Sequence, residues 1–385
     1  QRQMCIRDSK RSLALFLLLT LLAALGGCGG QTSGESGTPA PQTGAPAAES
    51  GAPSGEQPDP MTLTFATHLP ETGVDGASLK YFFEEVSKET GGLLTFEYYF
   101  AGSLVSATDS LTSVSEGLTD IAFVPEGFFE TQFYPTFVAT IPYTTTSEWV
   151  TNKALYEMFQ TYAPFREMCA AQNVVNLGVV APSELAMCSN LKIESLNDLT
   201  GLKIRAMGAV NADMTKLGAT PVAMAANEIY EALERKTVDA ATGIPVTLAV
   251  SYKLQEISDY FIYTGYGMYT TSSIYMNKAV YDKLPEAYKQ AFQTVYERFV
   301  DEYSSETWMG GAIKDSIQAI EDAGGEVIVL PKEERDKWAE KLAVDAQEFV
   351  DTATSYGYNG QEILDTYQAL VAKYAPDDIA YQVYE

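Results

Sequence analysis

The chain has 385 residues, enough for two domains of ordinary size, and its 46% hydrophobic and 11% aromatic content excludes a disordered protein. Aspartate and glutamate outnumber lysine and arginine 51 to 25, a formal net charge of -26. A surface of that sign repels phosphate backbones and anionic headgroups, which excludes nucleic acid as a partner.

Gln1 to Ser9 reads as an extension ahead of a secretion signal, with Met4 as a candidate start. Lys10 and Arg11 precede an apolar run of thirteen residues, Leu13 to Leu25, which is short for a membrane span and right for an export signal. It ends in Leu25-Gly26-Gly27-Cys28, which resembles the lipobox of bacterial lipoproteins. Residues 1–28 are therefore expected to be a leader, with Cys28 the lipidation site. Gly29 to Pro60 contains only Gly, Ser, Thr, Pro, Ala, Gln, Glu and Asp, so residues 29–60 read as a disordered stalk. Its reach is roughly 30 Å by random-coil scaling. Anchor and stalk together predict an extracytoplasmic protein, lipid-anchored to the cell membrane on the periplasmic side or cell surface.

The folded part begins with Met61, Leu63 and Phe65 alternating against threonines, a first strand that runs into His68-Leu69-Pro70. Leu79, Phe82, Phe83 and Val86 recur at helical spacing until Gly91-Gly92. Leu94, Phe96, Tyr98 and Phe100 alternate as a second strand, a helix runs through Leu111 and Val114 to Gly117, and Asp120 to Val124 is a short buried strand. One amphipathic helix is expected from about Ser147 to Met168, followed by a strand at Val174–Val180. Then come a strand ending in Arg205, a helix stopped by Gly218, a helix opened by Asn227 as its cap, and a strand after Val238. Phe261 to Met276 is strand-like, with Gly265 and Gly267 as flexible points. The pattern is helical from Pro285 to Gly324-Gly325, with one strand at Glu326–Leu330 and two helices after Pro331 and Gly360. Strands alternating with helices predict an α/β protein with mostly parallel sheets, whose ligands sit at the carboxyl ends of the strands.

Several segments carry a resemblance: Ala101-Gly102-Ser103-Leu104, Gly117-Leu118-Thr119-Asp120-Ile121, Ile141-Pro142-Tyr143, and above all Asp198 to Arg205 with Glu228 to Leu233 and Val238-Asp239-Ala240. In order and spacing they resemble the solute-binding proteins of tripartite ATP-independent periplasmic (TRAP) transporters, of the dicarboxylate-receptor type, over about Met61 to Ala375. The resemblance implies a two-lobed periplasmic-binding-protein-like (type II-like) fold with a long helix spanning both lobes. Lobe 1 would be 61–182 plus 269–308, and lobe 2 183–268 plus 309–385. It further implies a monomer that closes on a small organic acid and delivers it to an ion-gradient-driven TRAP permease. The alternatives are a binding protein of an ATP-driven importer and a ligand-sensing lipoprotein.

On residue type alone Arg205 reads as a ligand clamp or as half of a structural ion pair; the resemblance implies the carboxylate-clamping arginine, where a planar fork supplies direction as well as charge. His68, the only histidine, lies where the resemblance implies a polar contact from lobe 1, and loop packing is the other reading. Glu126 is a candidate ligand contact or a helix opener. Asn227, Gly243, Tyr266 and Tyr269 complete the candidate ligand-binding set, the tyrosines reading equally as core. Relatives that bind sialic acids carry a second arginine about twenty residues before the first; here Leu185 stands there, and Gly243-Ile244-Pro245 replaces a polar group before proline. One strongly neutralised carboxylate is therefore expected, that of a keto, hydroxy or aromatic acid.

No Gly-x-Ser-x-Gly elbow, phosphate loop or zinc motif occurs, so neither an enzyme nor a metal or cofactor site is expected. Cys169 and Cys188 are left either paired or free.

Overall fold

Residues 58–384 are described by a computed structural model. The leader, Cys28 and nearly all of the stalk lie outside them. Two sheets organise the described residues. The first has the order β2-β1-β3-β10-β4, built from β1 (Met61–Ala66), β2 (Leu94–Tyr99), β3 (Ile121–Pro125), β4 (Val174–Val179) and β10 (Ser272–Asn277). The second has the order β11-β9-β5-β8-β6-β7, built from β5 (Leu185–Ser189), β6 (Lys203–Ala206), β7 (Thr220–Ala223), β8 (Ala240–Pro245), β9 (Tyr260–Tyr263) and β11 (Glu326–Val329).

The alternation in β1 does what period two requires. Leu63 and Phe65 are buried under the helix Val74–Glu89, Thr62 is exposed, and β1 pairs in parallel with β2 from Met61 opposite Leu94 to Ala66 opposite Tyr99. Phe82 and Phe83 of that helix join Phe65, Phe96 and Phe292 in an aromatic cluster. β10 runs antiparallel between β3 and β4, so the first sheet needs a strand from late in the chain.

Two strands were not foreseen. All five residues of β5 are buried, so no alternation marks it, and β7 carries Pro221, which ordinarily demotes a strand and is tolerated because β7 sits at the sheet edge beside β6 alone. Phe261 to Met276 is two strands in different sheets. The link Thr264–Thr271 carries the chain across, and Gly265 and Gly267 hold φ of 78° and 97° there. The other strand-to-strand crossing joins β4 to β5, and the two are tied by the Leu185 N–H donating to the Gly267 carbonyl at 3.0 Å.

Three helical expectations need correction. Ser147 caps the helix Glu148–Thr161 through Oγ, which accepts from the Val150 N–H at 3.0 Å, but that helix stops at Tyr162 and a second runs from Ala163 to Ala171. Pro164 explains the break, since its ring excludes the carbonyl four residues back. The long helix after Pro285 is also two, Glu286–Ser304 and Met309–Asp322. Ser305 is extended, and a Cβ on Gly311 would lie 2.1 Å from the Glu306 carbonyl oxygen, so the break needs glycine. The first of the pair packs on the first sheet's helices and the second on β11, so the pair and not one rod bridges the lobes. Three C-terminal helices replace the two expected: Lys332–Leu342, Val344–Ser355 and Gly360–Tyr374. Trp338 and Leu342 of the first share a core with Ile204 of the second sheet. Phe349, Ala353, Ile363 and Tyr367 of the others share one with Phe133, Phe165 and Tyr275 of the first. Assigning all of 309–385 to lobe 2 therefore fails for 344–374, whose apolar faces are matched on the other side.

Cys169 and Cys188 are free and buried in separate cores. No helix among the described residues is long and apolar enough to cross a membrane.

Candidate ligand-binding site

Arg205 stands near the carboxyl end of β6, flanked by β7 on one side and β8 on the other. These three strands are parallel, so their ends come together, and Met224 just beyond β7 and Thr242 within β8 supply the guanidinium's partners. Nε and Nη2 donate to the Met224 carbonyl at 3.1 and 3.0 Å, and Nη1 donates to the Thr242 carbonyl at 3.0 Å. Only 2% of Arg205 is exposed, and burial lowers its pKa from the usual arginine value. Among the described residues no acid lies within ion-pair reach of it, whereas Arg235 is taken by Glu231 and Arg298 by Glu85 and Glu89. A guanidinium has five N–H groups, and three are used, which leaves two for a partner. The reading of Arg205 as half of an ion pair is thus not met: its charge is buried, fixed in direction by two carbonyls, and uncompensated.

Gly243 follows Thr242 with φ of 77°, and a Cβ there would lie 3.6 Å from Nη1. A side chain at this point would be strained and would lie against the guanidinium, so glycine keeps that approach open. Leu185, where a second arginine was sought, is buried in the core beside Ile204 and brings no charge to the site.

Tyr269 belongs to the crossing between β9 and β10. Burial raises its pKa, Asp75 pushes it further up and Arg205 pulls it down, so its phenol lies within electrostatic range of both lobes. Asp75 opens the first helix of lobe 1, accepts from the Tyr303 hydroxyl at 2.9 Å, and is itself raised by burial. Tyr252 lies within electrostatic range of Arg205 as well. His68 follows the carboxyl end of β1, with its ring stacked on Phe123 at 6.1 Å. Its Nδ1 is buried without a hydrogen-bond partner, and burial lowers its pKa, so the ring is neutral.

The other candidates are placed elsewhere. Glu126 opens the short 3-10 turn Glu126–Phe128, as one of its two readings expected, but its side chain is fully buried, where it accepts from the Thr271 hydroxyl and from the Tyr275 hydroxyl at 2.6 Å, and burial raises its pKa. Tyr266 donates to Asp213 and packs in the core of the second sheet. Asn227 is exposed within the turn Ala226–Glu228 and does not cap it. The Glu228 carboxylate does so, accepting from the Ala225 N–H at 2.9 Å. Sequence reasoning missed the Met224 and Thr242 carbonyls, which have no side-chain signature, and Asp75 and Tyr252, which nothing in their neighbourhood marks.

A sequence profile for DctP, bacterial extracellular solute-binding protein, family 7, matches residues 65–352. The chain belongs to this family. TsaT of Comamonas testosteroni, named as an outer membrane transporter protein, is 26% identical to this family 7 chain over 311 residues, 79% of the chain and 89% of the relative. A TRAP periplasmic solute binding protein of Desulfovibrio salexigens, solved as an open complex, matches the fold with a TM-score of 0.75 at 22% identity, covering 84% of this chain and 99% of that one. A TRAP solute binding protein of Rhodoferax ferrireducens, solved with copurified benzoate, matches with a TM-score of 0.68 at 26% identity, covering 82% and 99%. The family and the two-lobed α/β fold expected from the residues are both met.

Proposed function

We propose that this chain is an extracytoplasmic receptor that captures a small monocarboxylate and delivers it to a TRAP permease. The observation that carries the reading is the buried Arg205 guanidinium, which has no acid partner among the described residues and two N–H groups unspent. A desolvated, unpaired cation is costly, and a ligand carboxylate relieves that cost through charge-assisted bonds. With Leu185 in the core, no second positive fork stands beside Arg205 among the described residues, so a dicarboxylate or sialic acid would leave charge unanswered. In this reading the Tyr269 phenol, in electrostatic range of Arg205, faces the ligand's tail, and the unpartnered His68 Nδ1 is a polar contact for a keto or hydroxy group. The benzoate of the Rhodoferax relative is an acid of this class. Cys28 is the lipid anchor in this reading, and the receptor acts as a monomer at the membrane surface.

The test is a thermal-shift screen of organic acids on the chain from Met61 onward, followed by calorimetry of the best hit. Arg205→Ala should weaken binding by roughly two orders of magnitude or more, because the carboxylate then stays desolvated and unpaired. Tight binding of a sugar, peptide or cation that survives Arg205→Ala would overturn both the ligand class and the role of the arginine.

A further inference from the structure

Lys216 ties together parts of the fold that belong to different cores. It ends the helix Ala209–Lys216, which follows β6, and Val210 and Met214 of that helix share a core with Ile204 and Ala206. Strand alternation then turns Arg205, which lies between Ile204 and Ala206, to the other face of the second sheet. Lys216 stands on the face away from the guanidinium.

The Lys216 Nζ pairs with Asp345, with Glu348 at 2.8 Å and with Asp213 at 3.4 Å. Asp213 accepts in turn from the Tyr266 hydroxyl, in the crossing between β9 and β10. Asp345 and Glu348 lie in the first two turns of the helix Val344–Ser355. Phe349 of that helix stacks on Tyr134 at 5.5 Å, and Phe349 and Ala353 are buried in the core that holds Val124 and Tyr275 of the first sheet. Trp338 and Leu342, just ahead of it, belong to the core of the second sheet. The chain therefore passes from one core to the other at Ala343, and Lys216 reaches across that passage from the second sheet's side.

The two kinds of contact respond differently to a rotation of one lobe against the other. Phe349 and Ala353, 4% and 0% exposed, keep their helix on the first sheet's side, because uncovering them returns apolar surface to water. The side chains of Lys216 and Glu348 are 23% and 57% exposed, so water replaces their pairing at small cost. A rotation that narrows the space in front of Arg205 widens the opposite face, and the ionic contact is the one that parts.

We propose that Lys216, Asp345 and Glu348 form an ionic latch that opposes closure: the pairing is made while the cleft is open and parts as the lobes close on an acid held by Arg205. The proposal rests on the capture of an acid at that arginine. A ligand then has to open the latch, so its apparent affinity is lower than its affinity for the closed form, and the empty receptor is kept from closing.

The experiment compares residues 29–385, the chain that follows Cys28, with its Lys216→Gln variant by small-angle scattering without acid and by calorimetry with the best acid of the screen. Lys216→Gln should have the smaller radius of gyration when empty and should bind the acid severalfold more tightly than wild type. A contact that merely held the fold together would lower the melting temperature on removal without tightening binding, so the gain in affinity separates a latch from a strut. Glu348→Gln removes an exposed partner, should act in the same direction to a smaller extent, and carries the test should Lys216→Gln fail to fold. Lys192→Gln breaks pairs with Glu194 and Glu326 on the second sheet's side alone, and should leave both readings unchanged. Wild-type scattering and affinity in Lys216→Gln and Glu348→Gln, weaker binding in either, or the same gain in Lys192→Gln overturns the latch. Should no acid bind, the reading of Arg205 fails, and the scattering of the empty variants still decides whether Lys216 holds the lobes apart.

Discussion

At the scale of single residues, buried charge is what distinguishes this chain. Arg205 has direction without a counter-ion, so charge alone should not rescue it. Arg205→Lys keeps the charge and loses the fork together with the bond to at least one of Met224 and Thr242. Calorimetry should show it binding the best acid at least about tenfold more weakly than wild type, between wild type and Arg205→Ala. Asp213 is the converse case. Burial, opposed by the Tyr266 hydroxyl and Lys216, raises it to about 6, above its ordinary 3.8. A carboxyl raised in the folded state holds its proton more tightly there, so the stability it contributes is present below about 4 and is lost as pH rises through 6. Asp213→Asn should gain stability relative to wild type across that window, on the order of 2 kcal/mol, in denaturant titrations at pH 4 and pH 7. A difference that does not change with pH would contradict the assignment. Of the residues singled out from sequence, Arg205 and Gly243 come together at one place with Tyr269 in range, Arg205 marked by a family motif at a strand end and Gly243 by its departure from the polar group that relatives carry. Tyr266 and Glu126 could not be told from core, since a tyrosine or glutamate beside an apolar strand has the same pattern whether it faces a cleft or a hydroxyl cluster.

At the scale of elements, the legible parts were those with a clean period. β1, β2 and the helix Val74–Glu89 follow from alternation and from helical spacing. What was lost were breaks, where tertiary packing decides between a continuous and an interrupted helix, and strands such as β5 that are buried on both faces. The crossing between β9 and β10 is the sharpest test of backbone geometry. Gly267 has φ of 97°, and a Cβ there would sit 2.7 Å from the Thr145 carbonyl oxygen. Gly267→Ala meets both the conformational cost and a backbone clash, and should destabilise by more than about 1 kcal/mol in urea titrations. By contrast, alanine at Gly201 meets open space and only the φ of 78°, so its cost should be the smaller of the two.

At the scale of the molecule, the two sheets are joined by the crossings around Ser183 and Gly265, and the tail reaches both sides, with Asp378 on Ser147 and Tyr384 on Glu184. A ligand that touches Arg205 from one lobe and His68 from the other stabilises only the closed arrangement. Small-angle scattering should show a smaller radius of gyration with the best acid than without it, and an unchanged profile would count against closure. Outside the described residues, Cys28→Ser should move the full-length protein from the detergent fraction to the soluble one.

The return of the last two helices to the first sheet has a consequence for how the protein is made. The first sheet begins with β1 at Met61, yet the core beside it is finished by Phe349, Ile363 and Tyr367, and Tyr374 reaches back to Glu157, 217 residues earlier. A chain emerging from its amino end cannot complete that core until nearly all of it has been synthesised. Until the last helices are made, the apolar faces of Phe133, Phe165 and Tyr275 lack these partners, so a chain truncated before Val344 is expected to leave them uncovered.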